Sequence, residues 1–148
     1  MKNYGELCET IKSLISGVPH TVANLANASA AIYDFLDDVN WAGFYVLRGE
    51  TLVLGPFQGK PACIEIPVGR GVCGEAARTR KTVSVKDVHA FKGHIACDSA
   101  SRSEIVVPLF KGEELFGVLD IDSPIRARFS DVDRLGLEEA AKIIEKCL

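Results

Sequence analysis

Residues 91–109, FKGHIACDSASRSEIVVPL, combine reactive side chains with a strongly apolar run. Cys97 lies in the polar part of this stretch, and Glu104 stands directly before the apolar residues 105–109. A long polar segment in a compact chain is typical of a functional loop. A loop cysteine is also accessible, and its thiol can acquire a lowered pKa. The pattern indicates that Cys97 is a candidate nucleophile with a carboxyl group close by.

Cys73 and Cys63 are two further candidate thiols. Cys73 follows the segment GRGV at the start of a predicted helix, where the helix dipole would stabilise a thiolate. On physical chemistry alone, Cys73 therefore rivals Cys97 as the nucleophile. Cys63 begins a predicted strand, and by itself it is expected to be a core residue, because cysteine is among the most buried residue types.

Three carboxyl groups and two aromatic rings could complete a site around such a thiol. Asp120 and Asp122 are two apart on a predicted strand and face the same side, and Glu104 begins the strand that precedes theirs. Neighbouring carboxyl groups and partial burial raise a carboxyl pKa, which would supply a proton donor. Trp41 and Tyr45 are four apart on another predicted strand, so they share a face and could form an aromatic wall.

His89 and His94 raise the question of a metal site. The separations of 10 and 24 residues between Cys63, Cys73 and Cys97 lack the short paired spacing of structural zinc sites. We therefore predict no metal, and we expect the histidines to anchor the loop or to tune thiol acidity. The segment GRGVCG matches neither a Walker A motif nor a dinucleotide fingerprint, so no bound cofactor is predicted.

The hydrophobic periodicity predicts the elements that position these residues. These elements are helices at 4–16, 20–37 and 69–81, strands at 62–68 and 82–85, hairpins at 41–59 and 104–122, and a final helix capped by Ser130. Leu135 and Leu137 are both expected on the buried side of the final helix. Because hairpins imply antiparallel pairing, this order predicts one α+β domain over residues 1–148, with an antiparallel sheet flanked by helices.

Composition restricts the classes of partner and compartment. The formal net charge is −3 and no basic run occurs, which disfavours a nucleic-acid partner. No apolar run is long enough to span a membrane, and no signal peptide pattern follows Met1. The five cysteines form no Cys-x-x-Cys pair, and their odd number disfavours a secreted disulfide scaffold. We therefore expect a cytoplasmic protein.

Four segments resemble a known family. The ending LFGVLDIDSPIRARFSDVDRLGLEEAAKII is similar to that of GAF domains, which indicates a GAF-like fold. The segments NWAGFYVL, GPFQGKPACIEIPVGRGVCGEAA and DVHAFKGHIACDSASRSEIVVP resemble the free methionine-(R)-sulfoxide reductases, which are stand-alone GAF enzymes.

The resemblance implies a role for each candidate residue. Cys97 would be the nucleophile, Cys63 the resolving thiol, and Cys73 an alternative resolving or relay thiol. The substrate, free L-methionine (R)-sulfoxide, would be bound by Trp41, Tyr45, Glu104, Asp120 and Asp122, with Glu104 and Asp122 favoured on the sulfoxide oxygen. Thioredoxin would restore the thiols, and a homodimer through the helical layer would be in keeping with other stand-alone GAF domains.

Two alternatives of other classes remain open at this stage. Many GAF domains are small-molecule sensors, although these are usually attached to an output domain. A thiol-based redox switch acting on a partner protein is a third reading. Turnover discriminates among them, because a sensor binds its ligand without consuming reductant.

Overall fold

The chain folds into four helices and a six-stranded antiparallel sheet. A computed structural model describes residues 3–93 and 100–148. The helices are α1 (Tyr4–Ile15), α2 (Thr21–Phe35), α3 (Gly71–Thr79) and α4 (Asp131–Glu145), and the strands are β1 (Trp41–Arg48), β2 (Thr51–Gly59), β3 (Glu65–Pro67), β4 (Val83–Val85), β5 (Ser103–Lys111) and β6 (Glu114–Ser123). Among the described residues, no helix is long and apolar enough to cross a membrane.

The sheet has the strand order β3-β2-β1-β6-β5-β4, and every neighbouring pair is antiparallel. β1 and β6 therefore lie side by side at its centre, although they are far apart in sequence. The α+β class and the antiparallel sheet flanked by helices are confirmed.

The two faces of the sheet bury different residues, because successive side chains on a strand point to opposite sides. On one face, residues such as Phe44, Leu119 and Ile121 pack against α1, α2 and α4 to form the larger core. On the other face, Tyr45 and Val118 pack against α3 and its flanking segments. The smaller core is the one that contains the candidate site residues.

Two details differ from the sequence predictions. β3 has only three residues, so Cys63 precedes the strand instead of beginning it. Leu135 is 57% exposed, whereas Leu137 is buried. Residues two apart on a helix point about 200° away from each other, so the two leucines cannot both face the core.

Gly117 allows β6 to approach β1 closely beside Tyr45. A Cβ atom at position 117 would lie 2.1 Å from the backbone oxygen of Tyr45, which is far inside van der Waals contact. We expect Gly117→Ala to lower the free energy of unfolding by about 3 kcal/mol, as overpacking of a rigid core does. Gly17→Ala is the control, because position 17 has a positive φ but open space, and it should cost about 1 kcal/mol. Urea denaturation measures both, and equal losses would contradict the steric argument.

Candidate active site

One row of side chains crosses the three strands at the centre of the site. Trp41 on β1 pairs with Asp122 on β6, and Asp122 pairs with Glu104 on β5. Residues directly opposite each other on adjacent strands project to the same face. The next position on that face of β6 is Asp120, which pairs with Gly43 and Val106. The register alone thus brings three acids and a tryptophan from distant parts of the sequence to one place.

The aromatic wall predicted from the spacing is present and is larger than expected. The rings of Trp41 and Tyr45 are stacked with their centroids 5.9 Å apart. The ring of Phe57 on β2 also stacks with that of Trp41, at a centroid distance of 5.1 Å. Sequence reasoning missed Phe57, because a regular β1–β2 hairpin would pair it with Ala42 on the opposite face. A register shift between Gly43 and Tyr45 pairs Phe57 with Gly43 instead, on the face of Trp41.

Both polar ends of this wall are fixed by backbone carbonyl groups. The Trp41 Nε1 donates a hydrogen bond to the Lys60 carbonyl at 3.1 Å, and the Tyr45 hydroxyl donates to the Cys63 carbonyl at 2.9 Å. These bonds tie residues 60–63 to the sheet, because two buried aromatic side chains satisfy their donors there. The segment that carries Cys63 is therefore held against the aromatic wall.

The acids form a buried cluster with Cys73. Glu104 is 8% exposed, Asp120 is 5% exposed, and both line a cavity together with Cys73 and Asp122. The Cys73 Sγ atom lies 3.9 Å from Glu104 Oε2. Asp120 Oδ1 is buried without a hydrogen-bond partner among the described residues. An unsatisfied buried acceptor of this kind indicates a place where a ligand could donate a hydrogen bond.

Burial controls the protonation of this cluster. Desolvation, and then the charges of Asp120 and Asp122, raise the pKa of Glu104 well above its usual value. Desolvation also raises the pKa of Asp120, although hydrogen bonds from Glu104 and Cys73 oppose the shift. A carboxyl group with a raised pKa keeps its proton to a higher pH than an ordinary carboxyl group does. The cluster can therefore present a carboxylic acid to a ligand.

Cys73 does not have the acidity that its place in the sequence predicted. Burial, and then the charges of Asp120 and Glu104, raise the pKa of the Cys73 thiol well above its usual value. The dipole of α3 acts in the opposite direction, but tertiary burial beside carboxyl groups outweighs it. Cys73 is therefore a poor thiolate in this environment.

The remaining cysteines differ in their surroundings. Cys63 is half-buried and disulfide-bonded, whereas Cys8, Cys73 and Cys147 carry free thiols. Cys97 and His94 lie outside the described residues. His89 is exposed in a short 3₁₀ turn, Val88–Ala90, and is not among the described residues that line the cavity.

One set of donor atoms in the cavity has the chemical types that bind metals. Single donor atoms of Cys73, Glu104 and Asp120 lie within 4.8 Å of one another. Metal ligation requires deprotonated thiol and carboxyl groups, whereas the raised pKa values of all three favour their protonated forms. Binding of a cation there would therefore have to displace protons from the cluster.

Comparison with known proteins agrees with this geometry. The GAF domain family profile matches residues 13–148. The chain is 52% identical to the free methionine-R-sulfoxide reductase of Escherichia coli, over 98% of this chain and 88% of that protein. It is 46% identical to the free methionine-R-sulfoxide reductase of Saccharomyces cerevisiae, over 95% and 83%.

A solved structure gives the same relationship in three dimensions. The structure of fRMsr of Staphylococcus aureus in complex with substrate superimposes with a TM-score of 0.95 at 55% identity, covering 100% of this chain and 97% of that one. Identity of this level over nearly the whole of both chains exceeds what a shared fold alone requires. The chain therefore belongs to the GAF domain family and, within it, to the free methionine-R-sulfoxide reductases.

Proposed function

We propose that this protein reduces free L-methionine (R)-sulfoxide to L-methionine, with its own cysteines as the electron donors and thioredoxin as the final reductant. The observation that carries the proposal is the pocket in which an aromatic wall meets a buried acid of raised pKa. Trp41 and Tyr45 offer a polarisable surface to an S-methyl group, and Glu104 offers a proton.

The proposed first step is attack of the Cys97 thiolate on the sulfoxide sulfur. A bond forms between Cys97 Sγ and the substrate sulfur while Glu104, helped by Asp122, donates a proton to the oxygen. The resulting hydroxyl group then migrates to Cys97 Sγ as this new sulfur–sulfur bond and the original sulfur–oxygen bond both break. Methionine leaves with the electron pair and Cys97 becomes a sulfenic acid. Protonation makes the sulfoxide sulfur more electrophilic and weakens its bond to the oxygen, which is why a carboxyl group of raised pKa is needed here.

The proposed second step is condensation of the Cys97 sulfenic acid with the Cys63 thiol. A disulfide forms and one water molecule leaves, and a dithiol reductant such as thioredoxin then reduces the disulfide by thiol exchange. This pairing is supported by the disulfide-bonded state of Cys63 and by the free thiols of Cys8, Cys73 and Cys147. A reducing compartment such as the cytoplasm would supply the reductant. A homodimer stays a prediction.

Steady-state turnover tests the function directly. Purified protein with thioredoxin, thioredoxin reductase and NADPH should oxidise NADPH when free methionine (R)-sulfoxide is added. A ligand sensor built on the same fold would bind the compound without consuming NADPH. A redox switch would consume it only with its protein partner.

Cys63→Ser should separate the two steps. We expect the variant to release one equivalent of methionine per chain and then to stop, because the sulfenic acid of Cys97 lacks its resolving thiol. Rapid-quench analysis of methionine measures the burst, and the NADPH assay measures recycling. Cys147→Ser is the matched control and should retain both. Continued recycling in Cys63→Ser, lost only when Cys73 is also replaced, would assign the resolving role to Cys73.

A further inference from the structure

Residues 123–128, which begin at the last residue of β6, contact the chain on both sides of Cys97. On the amino side, the Ala127 amide donates a hydrogen bond to the Lys86 carbonyl at 2.9 Å. On the carboxyl side, the Arg102 amide donates to the carbonyl group of the first residue of this segment at 2.7 Å. We call residues 123–128 the anchoring segment, because the two chain portions that flank the proposed nucleophile are bonded to it.

The anchoring segment is itself fixed to the rest of the fold. The Ser103 hydroxyl donates to the Ile125 carbonyl at 2.6 Å, and the Arg128 Nε donates to the Asp37 carbonyl at 2.8 Å. Ala127 has a φ of 53°, in the left-handed region that a non-glycine residue seldom adopts. Such a conformation persists only where the surrounding contacts enforce it. The anchoring segment is therefore a supported framework and not a free connection.

Arg126 extends this framework to the turn that follows β4. Its guanidinium group forms an ion pair with the Oδ2 atom of Asp87. The Oδ1 atom of the same carboxylate accepts a hydrogen bond from the His89 amide at 3.1 Å, in the 3₁₀ turn Val88–Ala90. Arg126 therefore orients the carboxylate that caps this turn, and the turn leads along the sequence towards Cys97.

Neither substrate binding nor fold stability explains this ion pair. Arg126 is not among the described residues that line the cavity, and its side chain is 64% exposed. An exposed ion pair contributes little to the stability of a fold. Displacement of a reacting group by about 1 Å, by contrast, can lower a rate by about 100-fold. An effect on the position of the nucleophile is therefore the larger effect that this ion pair could have.

We propose that Arg126 is a positioning residue for the reaction, and that its ion pair with Asp87 fixes the start of the segment that delivers Cys97 to the sulfoxide. The inference rests on the proposed function, in which Cys97 is the nucleophile. Arg126 acts through Asp87 and touches neither the substrate nor the thiol. Its removal should therefore change the rate of the chemical step and leave substrate affinity unchanged.

Single turnovers of fully reduced Arg126→Ala, over a range of methionine (R)-sulfoxide concentrations, test this role. The maximal rate constant for methionine formation should fall by about 10- to 100-fold, and the sulfoxide concentration that gives half of it should not change. Arg126→Lys keeps the charge and should recover part of the rate. About 1 M sodium chloride screens an exposed ion pair, so it should slow wild type by a larger factor than Arg126→Ala.

Arg78→Ala is the matched control. Arg78 and Glu75 form an ion pair whose side chains are 60% and 31% exposed, close to the 64% and 21% of Arg126 and Asp87. Removal of Arg78 should leave the rate of methionine formation unchanged. Urea denaturation should show similarly small losses of stability in both variants. Hydrogen exchange of peptides that cover residues 86–93 should be faster in Arg126→Ala and unchanged in Arg78→Ala.

The outcomes separate this inference from the proposed function. Methionine formation by wild type, with the same single-turnover rate in Arg126→Ala or an equal loss in Arg78→Ala, would overturn the role of Arg126 and leave the reductase intact. No methionine formation by wild type, with faster exchange in Arg126→Ala, would overturn the proposed function and keep the ion pair as the contact that fixes the turn. Equal exchange of residues 86–93 in wild type and Arg126→Ala would overturn that contact in either case.

Discussion

A Cys97→Ser variant is expected to form no methionine, not even a single equivalent per chain. A serine hydroxyl is not ionised at neutral pH and does not accept the sulfoxide oxygen, so the first step is lost completely. The loss of a covalent nucleophile typically lowers the rate by 10³-fold or more, so we expect a decrease of at least about 10³-fold. Quantifying methionine after mixing reduced protein with the sulfoxide, without thioredoxin, measures the effect.

The comparison with Cys73→Ser makes this prediction specific. Cys73 is 4% exposed and its thiol pKa is raised by burial and by the neighbouring acids, so Cys73→Ser should still release one equivalent of methionine. Cys8→Ser is a further control on a half-buried helix residue remote from the cavity. One equivalent from Cys97→Ser and none from Cys73→Ser would make Cys73 the nucleophile.

Glu104→Gln is expected to lower kcat by about 10²–10⁴-fold, the usual contribution of a positioned proton donor. The amide has nearly the shape of the protonated acid and can still donate a hydrogen bond, but it cannot transfer a proton to the sulfoxide oxygen. Glu65→Gln is the matched control, because Glu65 is exposed on β3 and should be indifferent. Single-turnover rates would measure the difference, and a fully active Glu104→Gln would exclude Glu104 as the acid.

The same substitution should change how stability depends on pH. Burial raises the pKa of Glu104 above the value that it has in the unfolded chain. The folded state therefore holds a proton more tightly. The stabilisation of the folded state by this proton is fully present below the unfolded pKa of about 4.3. It is lost as the pH rises through the folded pKa of Glu104. Gln does not titrate.

The free energy of unfolding of Glu104→Gln relative to wild type should therefore increase as the pH is raised above about 5. Urea denaturation of both proteins at a series of pH values measures it. A difference that stays constant with pH would mean that Glu104 titrates normally in the folded protein. If Glu104→Gln loses activity and is more stable than wild type at high pH, then the buried Glu104 lowers the stability of the folded protein and is needed for catalysis.

Local patterns in the sequence predicted most of the fold for clear physical reasons. The apolar positions of α1 and α2 follow the helical period, and Ser130 with Asp133 forms the expected capping box at the start of α4. Alternation along β1 and β6 predicted which residues share a face, and this placed Trp41 with Tyr45 and Asp120 with Asp122. These features depend on neighbours in sequence, so they can be read from sequence.

Properties that depend on distant residues were not predictable in this way. The stacking of Phe57 on Trp41 requires the register of β1 and β2. The raised pKa of Cys73 requires β5 and β6 to bring Glu104 and Asp120 against α3, which local helix position alone does not indicate.

The most direct test of the thiol mechanism is a single turnover with a count of thiols. Fully reduced protein is mixed with excess free L-methionine (R)-sulfoxide without other reductant, and methionine, free thiols and disulfide-linked peptides are measured. The mechanism predicts one methionine per chain, a fall from five free thiols by two, and a peptide that links Cys63 to Cys97. Methionine formed without loss of thiols, or a disulfide that links other cysteines in step with methionine, would contradict it.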